Sequence, residues 1–387
     1  MKAVLFSLFF VLLFSLSGLP ADDPADALIG AGIALRVRGE FDKAYQEYAR
    51  VKLRFPDSPH AARAQYEMGV CSLYADRVSE AMDQFQKVNL WYPASDFAKA
   101  ATEMNTILYR IYILPPNSTA TYAPDNRFAG TVLELDEPTG LSMDSKQNIY
   151  LSDKGKKTVS IFDSTGRLTN TISLFSPYSV SIDDQDRAFI ANGTNVIAAT
   201  PKGNDTIFLS TNTVDSSGTA DRLEEIRSVA IDGTGKLFVI SNKVNGILVY
   251  GPDSKPQPGY SFSQTLKPFT KVLVNARNQI LALDKDRKQI SVYGPDGKFL
   301  FTIGPTGKGY TLERVEDFAV DRANHIYLLE KSPHSILIFS PSGNLQKYIL
   351  SQKKGTLSFD DGKLITVGPS GSIYVLDKDT NRIIKIG

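Results

Sequence analysis

The side chains that could carry out chemistry are few in this chain of 387 residues, which contains three His and one Cys. His325 and His334 come before and after one predicted strand, so we expect them at opposite ends of a hairpin. His60 lies far from both in the sequence. A protein metal site needs three or four converging ligands, which these His residues cannot supply. The sequence therefore predicts no catalytic residue, no metal and no cofactor.

The single Cys, Cys71, cannot form an internal disulfide. It lies within a predicted helix, and we expect it to be a buried small apolar side chain rather than a reactive thiol.

Four Asp residues recur along the second half of the chain: Asp144, Asp183, Asp232 and Asp321. A ring of such carboxylates could bind a cation. Short Asp side chains also accept hydrogen bonds from the backbone of their own turn, and a repeated turn repeats its Asp. We expect this second role for all four residues.

The charges are balanced, with 43 Lys and Arg against 42 Asp and Glu and a net charge of +1. This balance gives no electrostatic reason to expect nucleic acid as a partner. The sequence contains no Gly-rich phosphate loop and no nucleophile elbow. With 42% hydrophobic and 10% aromatic residues, the composition is that of a globular protein.

The N-terminal segment has a short basic start at Lys2, an apolar run to Leu16 and then small residues. This is the layout of a secretory signal peptide, which we assign to residues 1–21, with cleavage after Ser17 or Ala21. An uncleaved anchor is the alternative. No Cys follows the apolar run, so a lipid anchor has no attachment point. We expect a periplasmic or secreted protein with no integral membrane span after signal cleavage.

Residues 25–113 are predicted to be helical and contain two stretches that superimpose at an offset of 37 residues. The matched positions are Gly32 and Gly69, Ala44 and Ala81, Tyr48 and Phe85, Val51 and Val88, and Pro56 and Pro93. The order of Gly, Ala, aromatic residue and Pro resembles the tetratricopeptide repeat, in which Gly and Ala allow two antiparallel helices to approach closely. The segment from Phe55 to Gly69 is similar to repeats of bacterial envelope proteins.

The resemblance implies a concave groove lined by the first helix of each repeat. The positions carried over are Ile29, Ile33, Arg36, Val37, Arg63, Tyr66, Val70, Leu73 and Tyr74. We expect the aliphatic members to pack between helices. Arg36, Arg63 and Tyr74 are the candidates for partner binding, because Arg and Tyr are enriched at binding hot spots.

After a linker at residues 114–126, short alternating strands predict a β-propeller over residues 127–387. Aromatic or apolar residues in the second strand of each copy recur at intervals of 39 to 49 residues: Tyr150, Phe189, Phe238, Leu281, Tyr327 and Tyr374. Six copies at this period predict six blades. The strand at residues 131–135 is expected to complete the last blade and close the ring, which removes an exposed edge. The Asp turns and Gly turns resemble the NHL repeat family.

The sequence thus predicts a multidomain chain, α followed by all-β, with tetratricopeptide-like repeats and a six-bladed NHL-like propeller. Some propellers that resemble this one are lyases that use several His residues, which this chain lacks. We expect a non-enzymatic scaffold for protein partners in the bacterial envelope, using the helical groove and a propeller face. The alternative is a propeller enzyme of lyase or hydrolase type, or a small-ligand sensor with a site in the central channel.

Overall fold

The structure is a computed structural model that describes residues 23–115, 122–128, 134–200, 206–210, 225–242, 245–257, 260, 262, 269–352 and 357–387. The predicted signal peptide, residues 1–21, lies outside the described residues. The chain divides into two compact units, the first ending at Phe97 and the second running from Ala98 to Gly387. The second unit therefore begins inside the helical region that the sequence assigned to residues 25–113.

Five helices come first in the chain. They are α1 (Pro24–Val37), α2 (Phe41–Arg54), α3 (Ala61–Tyr74), α4 (Val78–Trp91) and α5 (Asp96–Leu108), with a π-helical turn (Tyr109–Ile113) after α5. The side chain of Asp23 caps α1 by accepting a hydrogen bond from the backbone N–H of Ala25 at 2.9 Å, and Pro24 occupies the first turn. The four complete helices of the first unit form two hairpins.

The two hairpins repeat one packing contact. A Cβ atom placed on Gly32 would lie 2.5 Å from the ring of Tyr48, and one on Gly69 would lie 2.6 Å from the ring of Phe85. Both rings are fully buried. The close helix approach expected at these two Gly positions is therefore confirmed. Cys71 is buried, as predicted, and burial raises the pKa of its thiol to about 12.

The second unit is a six-bladed β-propeller, as predicted. Blade 1 contains β1 (Pro138–Met143), β2 (Ile149–Asp153), β3 (Thr158–Phe162) and β4 (Leu168–Ser173); blade 2 contains β5 (Ser179–Ile182), β6 (Ala188–Ala191), β7 (Asn195–Ala199) and β8 (Thr206–Ser210). Blade 3 contains β9 (Ile226–Ile231), β10 (Leu237–Ser241) and β11 (Leu248–Tyr250); blade 4 contains β12 (Lys271–Val274), β13 (Ile280–Asp284), β14 (Gln289–Tyr293) and β15 (Phe299–Ile303).

A small hairpin of β16 (Thr306–Gly307) and β17 (Tyr310–Thr311) leads into the last two blades. Blade 5 contains β18 (Arg314–Val320), β19 (Ile326–Ser332), β20 (Ser335–Phe339) and β21 (Leu345–Leu350); blade 6 contains β22 (Gly362–Val367), β23 (Ile373–Asp377) and β24 (Arg382–Ile386). Every described sheet is an antiparallel meander in which consecutive strands pair. The first strands of the blades lie side by side around the ring, with β22 next to β1.

The six anchor residues predicted from the repeat period are all buried. They lie in the second strands, and all except Tyr327 belong to hydrophobic clusters that join one blade to the next. The predicted hairpin glycines Gly166, Gly297 and Gly343 have φ between 79° and 85°, the left-handed conformation that glycine adopts without strain.

Backbone hydrogen bonds to β24 come from a segment ahead of the first blade. The N–H of Asp125 donates to the carbonyl of Lys385 at 2.8 Å, and the N–H of Gly387 donates to the carbonyl of Ala123 at 2.9 Å. Of the predicted closing strand 131–135, residues 131–133 lie outside the described residues, and Glu134 and Leu135 are not in a strand.

Helix α5 and the π-helical turn pack on the propeller from Ala98 onward. Glu103 forms an ion pair with Arg322 at 2.7 Å, and Arg110 donates to the carbonyl of Ser370 at 3.2 Å. Ile107 lies against Gly371, where a Cβ atom would come within 3.1 Å of its side chain. These contacts anchor the helix to blades 5 and 6. In the part of the chain that the structure describes, no helix has the length and apolar character needed to cross a membrane.

Candidate functional site

The three residues predicted to bind a partner lie in the helical unit, two of them around one carboxylate. Arg36 lies 3.3 Å from Glu67, and both side chains are largely buried. Burial raises the pKa of Glu67, against the opposing influence of Arg36 and Arg63. Tyr74 is only 8% exposed and packs edge-on against Phe41, with ring centroids 5.5 Å apart. Arg36 and Tyr74 therefore also serve interhelix packing.

A more exposed patch, absent from the predicted groove, lies at the end of α4. Trp91 is the single Trp in the sequence and is 54% exposed, and the neighbouring Leu90 is 66% exposed. The Lys52 ammonium lies 4.1 Å from the centroid of the Trp91 ring, and that of Lys87 lies 5.9 Å away. We call Lys52, Lys87, Leu90 and Trp91 the Trp91 patch.

Two buried side-chain amides position the Lys52 ammonium, one by direct contact and the other through the first. Lys52 donates to the side-chain oxygen of Gln65, whose amide nitrogen donates to the side-chain oxygen of Gln84 at 2.6 Å. Burial, together with the nearby charge of Lys87, lowers the pKa of Lys52 to about 8. Among the described residues no carboxylate pairs with Lys52, whereas Lys87 pairs with Asp83. The sequence signal for the patch was the position of Leu90 and Trp91 outside the apolar stripe of α4.

The His residues hold structural positions. His325 and His334 lie before and after β19, at opposite ends as predicted. His325 is fully buried, with Nδ1 3.0 Å from a carboxylate oxygen of Asp321 and Nε2 3.0 Å from the hydroxyl of Tyr112. His325 thus connects the π-helical turn to blade 5. Among the described residues, no group of three or more His, Cys, Asp or Glu is arranged to hold a metal ion.

The repeated Asp residues cap their own turns, as predicted. Asp144 accepts hydrogen bonds from the backbone N–H of Lys146 at 3.0 Å and of Asn148 at 2.7 Å. Asp183 and Asp232 accept the equivalent pairs, and Asp321 accepts one from the N–H of His325 at 2.9 Å. These carboxylates therefore stabilise the turns after the first strands.

The first strands surround a central cavity of about 370 Å³. Six residues, one from the last position of each first strand, form an apolar ring at one end: Met143, Ile182, Ile231, Val274, Val320 and Val367. Four residues earlier in each blade, a second ring is polar: Thr139, Tyr178, Arg227, Thr270, Glu316 and Lys363. We call them the base ring and the mouth ring.

Polar side chains next to the mouth ring bind the backbone of the following blade. Ser179 accepts a hydrogen bond from the N–H of Val229, and Ser228 accepts one from the N–H of Val272, both at 3.1 Å. Asp317 accepts one from the N–H of Ile365 at 2.9 Å and pairs with Lys271 at 2.7 Å. These side chains therefore join neighbouring blades through hydrogen bonds.

The mouth ring opens into a second cavity of about 570 Å³, which we call the mouth cavity. Two lysines that directly follow the last Asp of a second strand, Lys285 and Lys378, line it together with Arg227 and Lys363 of the mouth ring. The buried Glu316 carboxylate lies near Lys285 and Lys363. Charged side chains are therefore clustered at one side of the opening. No pattern in the sequence indicates that these cations converge on one cavity.

Comparison with known proteins supports the propeller fold. No known protein family and no curated protein matches this chain. A solved protein of unknown function from Bacteroides thetaiotaomicron is 11% identical with a TM-score of 0.53, and the match covers 66% of this chain and 70% of that one. An auxiliary nutrient binding protein from Bacteroides ovatus is 11% identical with a TM-score of 0.51, covering 69% and 76%.

A gluconolactonase from Xanthomonas campestris is also similar to this chain, at 10% identity and a TM-score of 0.50, with coverage of 71% of this chain and 98% of that one. At these identities the likeness concerns the fold alone. Similar propellers thus include proteins with different functions, and function has to be argued from the residues of this chain.

Proposed function

We propose that this protein is an exported, non-enzymatic scaffold of the bacterial envelope that binds protein partners through its helical repeats and a propeller face. The helical unit is proposed to be a pair of tetratricopeptide-like repeats, on the basis of the 37-residue offset and the repeated Gly–aromatic contact. Export is proposed from the signal-peptide layout of residues 1–21.

The observation that carries the proposal is the Trp91 patch. Trp, Tyr and Arg dominate binding hot spots, and an exposed Trp beside an exposed Leu gives a partner a large apolar contact. The uncompensated ammonium of Lys52 adds charge specificity, because a carboxylate of the partner would pair with it. The patch therefore suits a protein segment in which an apolar side chain lies beside an acidic one.

Three polar side chains that line the channel hold neighbouring blades together. Ser179, Ser228 and Asp317 are hydrogen-bonded to the next blade. A side chain that acts as a nucleophile or general base has to be within reach of a substrate proton or carbonyl, and these three are engaged with the backbone. Arg36, Arg63 and Tyr74 stay predicted partner contacts, placed in the same helical unit as the patch.

The test is site-specific photocrosslinking of the full chain in bacterial envelopes. A photoreactive residue at position 90 should capture one defined partner, and Trp91→Ala should abolish that product. A photoreactive residue at Leu300, an exposed position on β15, is the matched control and should not capture the same protein. Equal capture from both positions, or capture unaffected by Trp91→Ala, would contradict the proposal.

A small-ligand sensor is the second candidate function, and the specific observation in its favour is the charge of the mouth cavity. It concerns the other unit of the protein and is developed below.

A further inference from the structure

Several cations surround one carboxylate, Glu316, at the mouth cavity. Their positive charge exceeds the negative charge of that carboxylate. Arg314 lies 3.1 Å from one oxygen of Glu316, while Lys285 lies 3.4 Å and Lys363 lies 3.9 Å from the other. The Glu316 carboxylate is buried. One carboxylate cancels one of these three charges, so its neighbours repel one another unless another anion is present.

A second feature of the cavity is the setting of Arg227. Its guanidinium lies over the ring of Tyr178 at 4.7 Å, and one terminal nitrogen lies 3.4 Å from Glu225. Its Nε atom is buried and has no hydrogen-bond partner among the described residues. A buried donor without a partner is costly. The rest of the Arg227 side chain, 40% exposed, lines the cavity and is within reach of a bound anion. The Tyr178 ring holds the guanidinium in one orientation.

The remaining charged groups that line the cavity do not remove the excess. Asp284 pairs with the guanidinium of Arg287 at 3.8 Å, and Glu137 pairs with Lys154 at 2.7 Å. Lys378 donates to the backbone carbonyl of Asp136 at 3.3 Å, which carries no charge. Three lining cations then remain, Lys285, Lys363 and Lys378, and Arg314 adds a fourth beside the lining. The lining carboxylates that remain are Glu316 and Asp286. Among the described residues, these four cations exceed the two carboxylates by two.

We propose that the mouth cavity binds a small organic or inorganic dianion whose charge is carried by carboxylate or phosphoryl oxygens. Arg227 would bind one anionic group through the exposed part of its guanidinium, and Lys285 and Lys363 would bind the other. The volume of about 570 Å³ lies within the usual range for small-molecule sites. This inference goes beyond the scaffold function and does not depend on it.

The experiment is isothermal titration calorimetry of the full chain at pH 8 and low ionic strength with succinate, malate and inorganic phosphate. Saturable binding to one site is expected for at least one dianion, and the ranking separates carboxylate from phosphoryl sources. Acetate, which carries one charge, should bind about tenfold more weakly, since it forgoes one charge-assisted contact. Arg227→Gln and Lys363→Gln should each weaken dianion binding by a similar factor of about ten.

Two further variants separate an anion site from a merely structural charge cluster. Lys298→Gln removes the same charge from an exposed pair with Asp296 and should leave binding unchanged. Glu316→Gln should tighten dianion binding, because the cations lose their internal competitor, and the dianion should restore the melting temperature that this variant loses. The proposal is overturned if none of the three dianions binds, if Lys298→Gln weakens binding as much as Lys363→Gln, or if Glu316→Gln weakens it.

Discussion

The two helical hairpins and the six blades are both built from repeats. They differ in which equivalent positions keep the same residue type from one copy to the next. In the hairpins, the matched positions Gly32 and Gly69 face the matched rings of Tyr48 and Phe85 in the same contact. In the blades, the mouth ring places a Thr, a Tyr, an Arg, another Thr, a Glu and a Lys at one equivalent position. Positions that pack keep their residue type, whereas positions around a shared opening diverge. Divergence within a repeat is therefore the better guide to function.

The largest expected effect tests whether the stability of the propeller depends on side-chain contacts between neighbouring blades. Asp317→Ala removes the charged partner of Lys271 and the acceptor of the Ile365 N–H. The N–H of Ile365 loses its acceptor in a buried place, and the partly buried Lys271 ammonium keeps only its hydrogen bond to the carbonyl of Phe318 at 2.9 Å. We expect a loss of about 3 kcal/mol in the free energy of unfolding of the propeller. Denaturant unfolding followed by near-ultraviolet circular dichroism measures it.

The matched control for this change is Asp296→Ala, which breaks an exposed pair with Lys298. Exposed pairs contribute about 0–1 kcal/mol, so the two variants should differ clearly. Equal losses would show that the bond between blades does not stabilise the ring.

The next effect tests the packing contact of the hairpins. Gly69→Ala places a Cβ atom 2.6 Å from the Phe85 ring, whereas Gly30→Ala meets no atom within 4 Å. Overpacking costs about 1–3 kcal/mol and the gain in helix propensity is about 1 kcal/mol, so Gly69→Ala should be destabilising by about 1 kcal/mol. Gly30→Ala should be stabilising. Trp91 fluorescence reports unfolding of this unit, and the same sign for both variants would refute the contact.

A smaller effect concerns the anchoring of α5 on the propeller. Tyr112→Phe removes the hydroxyl that lies 3.0 Å from Nε2 of the buried His325. A hydrogen bond of this kind contributes about 1 kcal/mol. Hydrogen exchange of the α5 amides should accelerate about fivefold, as that energy implies. Tyr348→Phe, on the exposed face of β21, is the control and should leave exchange unchanged.

The smallest expected effect is a pH dependence of the helical unit. The folded pKa of Lys52 is about 8, below the value of about 10.5 of a free Lys. Between these values the unfolded chain binds more protons, so stability should rise as pH increases from 8 toward 10.5. After allowance for solvent screening, the gain is about 1 kcal/mol or less.

The difference between wild type and Lys52→Gln isolates this contribution. Cys71 acts in the opposite direction above pH 9, because burial raises the pKa of its thiol to about 12. Subtracting the two stability curves removes the Cys71 contribution, and a flat difference would contradict the assigned pKa of Lys52.

Much of the fold could be predicted because a repeated structural unit places similar residues at regular intervals in the sequence. The 37-residue offset located the Gly–aromatic contacts, and the second-strand anchors located six blades with buried side chains. The site residues carry no such signal. Arg227 follows a long polar loop, and nothing in its copy distinguishes a residue at the channel from one on the outside. Trp91 lies outside the buried face of α4, and helical periodicity assigns a role only to the residues on that face.

Closure of the ring through Ala123–Asp125 and β24 has a consequence for the rate of folding. Five blades can form from neighbouring hairpins, but the sixth also needs a segment that precedes the first blade. Contacts this distant in sequence form slowly, because a long loop must be closed before they stabilise anything. We therefore expect closure to be the last and slowest step of propeller folding. Until then, the edge of blade 6 is available to other chains, and dilute conditions should raise the refolding yield.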